Sequence, residues 1–155
     1  MAIYQMDSSG IVKHYIHEIG SVWGPSITNP AIGNDIFTAR ATCEEVVSAI
    51  TRRTRGGRVP SAAAVTAIAT FKNDWQNECQ IIEVTEALIN RAINLAETHG
   101  WRGYDTIQFA AACEIHNLCA AAGDFPPPIF VSADTELNAV VISERLMVDE
   151  PNSHP

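Results

Sequence analysis

The chain has 155 residues, of which 46% are hydrophobic, 18% charged and 7% aromatic; one domain with an ordinary core is expected, and disordered and collagen-like classes are excluded. Ten Lys and Arg against 18 Asp and Glu give a formal net charge of −8, which excludes a protein whose main work is to coat nucleic acid by charge alone. No stretch approaches the ~18 apolar residues of a membrane span, and MAIYQMDSSG shows no apolar leader, so no membrane association and a cytoplasmic location are expected.

Residues 2–6 (AIYQM) read as a strand ending at Asp7. Residues 9–17 place Ile11, Val12, Tyr15 and Ile16 on a helical stripe, with Ser8 or Ser9 as cap. The Gly- and Pro-rich residues 20–34 predict a loop or short broken helix, and residues 35–39 (DIFTA) a strand. A helix is expected from Thr42 to about Arg55, with Val46, Val47, Ala49 and Ile50 inward and Gly56-Gly57 ending it. Pro60 opens a helix over 61–77 with Val65, Ile68, Ala69 and Phe71 on one side. Then come a strand at 80–84, a helix at 85–98, the most apolar helix at 104–121, a strand at 129–133, a helix at 135–144 and a strand near 146–148. Residues 1–150 are expected to form the single domain, with 151–155 a mobile tail. Five short strands alternating with helices predict an α/β fold, a mainly parallel sheet covered on both faces.

In such sheets ligand sites form outside the carboxyl ends of the strands. Asp7 ends the first strand and Asp134 follows the fourth; Glu45 and Asp105 lie in first turns of helices. Each acid also has a local explanation. Thr42-x-x-Glu45 and Asp105-x-x-Gln108 fit capping boxes, and Asp7 and Asp134 can cap the helices they precede. If the four converge, two carboxylates ~5 Å apart repel by about 3 kcal/mol at an effective dielectric near 20. Such a cluster needs raised pKa values or a cation, and an all-oxygen set suits Mg²⁺ or Mn²⁺. A cation there would supply the positive field needed to hydrolyse a phosphodiester, which the acidic chain otherwise lacks.

Arg52, Arg53, Arg55 and Arg58 follow the helix bearing Glu45 and are candidates for positioning RNA, or are simply a solvated helix end. His14 with His17, and Cys113-x-x-His116-x-x-Cys119, are expected to be structural rather than metal-binding. Cys43, Cys79, Cys113 and Cys119 fit no zinc spacing and are expected to be reduced, mostly buried thiols. Trp23, Trp75 and Trp101 are expected to anchor packing or a partner surface.

Four blocks in order resemble the PIN-domain ribonucleases, specifically VapC-type toxins of type II toxin–antitoxin pairs. They are IYQMDSSGIVKHYIHEIGS, FTARATCEEVVSAITRRTR, LAETHGWRGYDTIQFAAA and FVSADTELNAVV. The resemblance implies a three-layer α/β/α fold and Mg²⁺- or Mn²⁺-dependent RNA cleavage. By position, Asp7, Glu45, Asp105 and Asp134 match its acidic quartet, with Glu44 the alternative to Glu45, and Ser9 matches the hydroxyl that orients the first aspartate. It also implies a homodimer and a cognate antitoxin. The alternatives are a catalytically inactive PIN-like module that binds a partner, and a receiver-like phosphoryl-transfer domain. The latter wants a lysine near the last strand, and neither Lys13 nor Lys72 lies there.

Overall fold

The computed structural model describes residues 1–17 and 19–154. Five strands form one sheet: β1 (Ile3–Met6), β2 (Asp35–Ala39), β3 (Gln80–Ile82), β4 (Ile129–Val131) and β5 (Met147–Asp149). Their order is β3-β2-β1-β4-β5, and every pairing is parallel. The helices are α1 (Ser8–Tyr15), α2 (Trp23–Thr28), α3 (Thr42–Arg55), α4 (Ser61–Asn77), α5 (Glu86–His99), α6 (Gly103–Ala122) and α7 (Thr135–Ser143). Parallel strands need crossovers, and the helices that supply them bury both sheet faces. This is the expected three-layer α/β/α architecture.

Strand alternation sorts the core into two layers. Met6, Ile36 and Val131 pack with Ile11, Val46, Ile50 and Phe71 from α1, α3 and α4. Ile3 and Ala39 pack with Leu88, Ala92, Ala110 and Ile115 from α5 and α6. Phe130 meets Phe109, Leu137 and Val141. Gln5 shares a face with Ile3; its side chain is 1% exposed, and neither amide atom has a partner among the described residues.

Gly10 sits inside α1, where glycine costs helix stability. The reason is close approach: a Cβ there would stand 3.0 Å from the Val131 carbonyl oxygen. The glycine lets α1 lie against the end of β4 and brings its amide to Asp7.

Several expectations are corrected. Asp7, rather than Ser8 or Ser9, caps α1, accepting from the Gly10 amide. Neither local capping box forms: Ala41 and Arg102 occupy the cap positions of α3 and α6, with no side-chain cap bond at either. Helix α4 is rotated from the expected phase: Ala64, Ala67 and Phe71 are buried, whereas Val65 is 70% exposed and Ala69 is exposed. Phe71, the largest apolar side chain of the helix, selects the face, and the residues four and seven before it follow. The four cysteines are free but only half-buried. Residues 151–154 lie against the domain. Pro151 is buried and opens a short 3₁₀ helix (Pro151–Ser153). The His154 ring stacks on Trp23 at 4.4 Å, and its Nε2 lies 2.7 Å from the Asp149 carboxylate. Gly20, at φ +84°, takes the tail at close quarters: a Cβ would lie 2.3 Å from the Pro151 oxygen. Pro155 lies outside the described residues. Among them, no helix is long and apolar enough to cross a membrane.

Candidate active site

Successive connections run outward from β1 to β2 and β3, and the chain then returns to place β4 on the other side of β1. The carboxyl ends of β1 and β4 therefore flank the point where strand order reverses, the usual place for a ligand crevice in an open α/β sheet. Asp7 follows β1 there, and Ser132-Ala133-Asp134 follows β4.

Asp7 is 4% exposed. Its Oδ1 accepts from the Gly10 amide at 2.9 Å and the Ser9 hydroxyl at 2.8 Å; its Oδ2 accepts from the Ser132 hydroxyl at 2.9 Å. Burial pushes its pKa up to about 6; the three donors oppose that rise, and the Asp134 charge adds to it. Ser132 is fully buried; its oxygen also accepts the Asp134 amide at 3.0 Å. Ser9 completes the joint by accepting the Ala133 amide at 2.8 Å. The expected role of Ser9 in orienting Asp7 has this geometric support. Ser132 is a supporting residue beyond the predicted set, and its signal in the sequence is a small hydroxyl two residues before the strand-end acid.

Glu45 and Asp105 come from the first turns of α3 and α6. These turns are joined by Gln108, which is 2% exposed. Its Nε2 donates to Glu45 Oε2 at 2.6 Å and to Thr42 Oγ1 at 2.8 Å. Three members of the two expected capping boxes, Thr42, Glu45 and Gln108, are thus bonded across helices. Burial is the main cause raising Glu45 to about 7, with the charges of Asp7, Asp105 and Glu44 adding and the Gln108 bond opposing. Asp105 is raised by burial and by Asp134 and Glu136, against the pull of Arg102. Its carboxylate accepts no hydrogen bond from the described residues. Asp134 is exposed and caps α7, its Oδ1 accepting the Glu136 and Leu137 amides at 3.0 Å each.

The four predicted acids are therefore linked in series at the same edge: the charge of Asp134 acts on Asp7 and Asp105, and both of these act on Glu45. Direct coordination is a stricter matter: among the described residues, no three carboxylate, histidine or cysteine side chains gather tightly enough to hold an ion. The donors on Asp7, Glu45 and Asp134 hold those carboxylates to the protein frame. What fits a divalent cation is the chemistry of the set: hard oxygen donors, with raised pKa values that a positive charge would relieve. Magnesium keeps several waters when bound, so carboxylates spaced beyond a closed shell suit it.

The arginines lie elsewhere. Arg52 and Arg55 sit two and three turns along α3 from Glu45, roughly 10 and 15 Å in helix rise. Arg53 and Arg58 line a hollow on the same end of α3. His14 and His17 face Thr28 and Ser21 rather than each other. The tryptophans pack: Trp23 on His154, Trp75 beneath Arg40, and Trp101 beside His99 and Phe109.

No family model matches the chain, and no curated protein matches it. Solved structures do. PAE2754 from Pyrobaculum aerophilum matches with a TM-score of 0.59 at 16% identity, covering 98% of this chain and 85% of its own. VapC20 from Mycobacterium tuberculosis, a sarcin-ricin loop cleaving toxin, matches at 0.60 and 16%, covering 90% and 95%. VapBC2 from Rickettsia felis, bound to a DNA fragment from its promoter, matches at 0.59 and 12%, covering 96% and 98%. With its parallel sheet, its two helical layers and its full-length match to these structures, the chain has the fold of the VapC-type PIN domains.

Proposed function

We propose that the protein is a divalent-metal-dependent endoribonuclease that acts as the toxin of a toxin–antitoxin pair. The observation that carries this reading is the placement of acids from four chain segments beside the switch point of the sheet, with Asp7 bonded to Ser132 next to Asp134, and Glu45 held by Gln108 of the helix that bears Asp105. The fold of VapC20 supports RNA as substrate, and that of VapBC2 supports a cognate antitoxin. A homodimer belongs to the same proposal.

Asp7, Glu45, Asp105 and Asp134 would hold Mg²⁺ or Mn²⁺, which supplies positive charge at the phosphate and lowers the cost of deprotonating water. The chain's own contribution is orientation. Ser9, Ser132 and the Gly10 amide fix both oxygens of Asp7. Gln108 fixes Glu45. Asp105, with no donor among the described residues, keeps both carboxylate oxygens for an external partner.

The test is cleavage of RNA by purified protein with Mn²⁺. Asp7→Asn and Asp105→Asn are expected to abolish cleavage while circular dichroism stays unchanged; full activity in either overturns the reading. The absence of a closed coordination shell among the described residues favours a second reading, a non-catalytic module that binds a partner. Calorimetric titration separates the two, because the module takes up no Mn²⁺.

A further inference from the structure

Six of the ten Lys and Arg side chains line two hollows beside α3, in a chain of net charge −8. The larger, about 560 Å³, has Arg40, Arg52, Arg55 and Lys72 in its walls and Glu44 at one end. Glu44 marks the mouth of the acidic site. Its carboxylate accepts from the Tyr104 hydroxyl at 3.4 Å; Tyr104 directly precedes Asp105, and Glu45 directly follows Glu44. The hollow is thus a trench that starts at Glu44, the neighbour in sequence of Glu45, and runs roughly 16 Å along α3 to Arg55.

A helix dipole accounts for Arg52 and Arg55 in the last turn of α3. It does not account for Arg40, which precedes the positive end of α3, or for Lys72, which is not in the last turn of α4. Arg40 is paired with Glu83. Arg52, Arg55 and Lys72 have no carboxylate partner among the described residues. Unpaired cations gathered in a concavity repel one another unless an anion lies among them.

We infer that this trench carries the phosphates of the RNA strand flanking the scissile bond, with Lys72 of α4 as a contact alongside Arg52 and Arg55. The inference rests on the ribonuclease reading and adds to it a substrate class: strands long enough to run from the acids along α3. Repeated spaced anions suit the trench better than a single phosphate would, because its cations are distributed along its length.

The test uses the full chain with Asp7→Asn, which prevents turnover. Fluorescence anisotropy follows binding of a single-stranded trinucleotide and of a strand of about twenty nucleotides over a range of salt. Arg52→Gln, Arg55→Gln and Lys72→Gln together are expected to lower the slope of log affinity against log salt by about 2 for the long strand, at ~0.7 per phosphate contact. The trinucleotide's slope is expected to stay as it was, and Arg91→Gln, outside the trench, to change neither. The single variants each give about a third of the effect, which keeps the test decisive if the triple variant folds poorly. An unchanged slope for the long strand, with the wild type still cleaving RNA, overturns the trench and leaves the nuclease reading standing. Equal losses on both strands also overturn it, since the cations would then serve the scissile phosphate alone. A wild type that neither cleaves RNA with Mn²⁺ nor binds either strand as Asp7→Asn overturns both.

Discussion

The Ser132 hydroxyl donates to Asp7 Oδ2 at 2.9 Å, so two residues 125 positions apart lock the ends of neighbouring strands β1 and β4 together. The bond sits beneath a carboxylate that burial raises to about 6. A folded-state value above the unfolded one means that the native protein holds the proton more tightly. Without a cation, stability is therefore expected to be greatest below about pH 4 as far as Asp7 is concerned, and to fall as pH rises through about 6. Glu45 extends the fall to about 7. The Asp7 contribution is on the order of 3 kcal/mol. Thermal denaturation of wild type at pH 5 and 7.5 checks this, with Asp7→Asn losing that part of the pH dependence while activity disappears. Addition of Mn²⁺ at pH 7.5 is expected to recover the wild-type loss; a melting temperature that rises steadily from pH 5 to 7.5 contradicts the assignment.

Gln108 holds Glu45 from another helix, and Gln108→Met keeps the volume while removing the donor. Loss of this bond is expected to raise the Glu45 pKa further and to weaken Mn²⁺ binding about 10- to 100-fold, the usual effect of removing a partner behind a metal-binding side chain. Stability is expected to change little, because the buried Oε1 of Gln108, which has no partner among the described residues, is removed as well. Calorimetry with Mn²⁺ and a pH–rate profile give the two readouts. Glu45→Gln combined with Gln108→Met is expected to be no worse than Glu45→Gln alone.

In the central strand β1, Gln5 buries an amide with no partner among the described residues. Such a group costs about 1–3 kcal/mol, judged from protein mutational data. Gln5→Leu is expected to raise the unfolding free energy by that order, read from the midpoint of urea denaturation. A lower midpoint would mean that the amide is satisfied in solution, for example by water.

The tail is expected to resist proteolysis between Asp149 and His154, because Pro151 is buried and His154 is held by Trp23 and Asp149. Trp23→Ala is expected to expose it to cleavage, followed by mass spectrometry. Gly20→Ala is expected to do the same through its clash with the Pro151 oxygen.

What the sequence by itself determined was local. The β2 and α3 boundaries, the strand–helix alternation and the strand-end positions of the acids follow from residue period, turn residues and chain order. Each depends on neighbours within a few positions, which a linear pattern records. The tertiary structure decided which partners the polar side chains chose. Thr42, Glu45, Asp105 and Gln108 spell two capping boxes, yet Gln108 bonds Thr42 and Glu45 across helices, because the first turns of α3 and α6, from opposite layers of the fold, meet beside the strand ends. The same holds for Ser132 beneath Asp7, for Pro151 against Gly20, and for Lys72 and Arg40 beside Arg52. Contacts of that kind depend on the relative placement of whole elements, which is set by burial summed over the core and is not written at any one position.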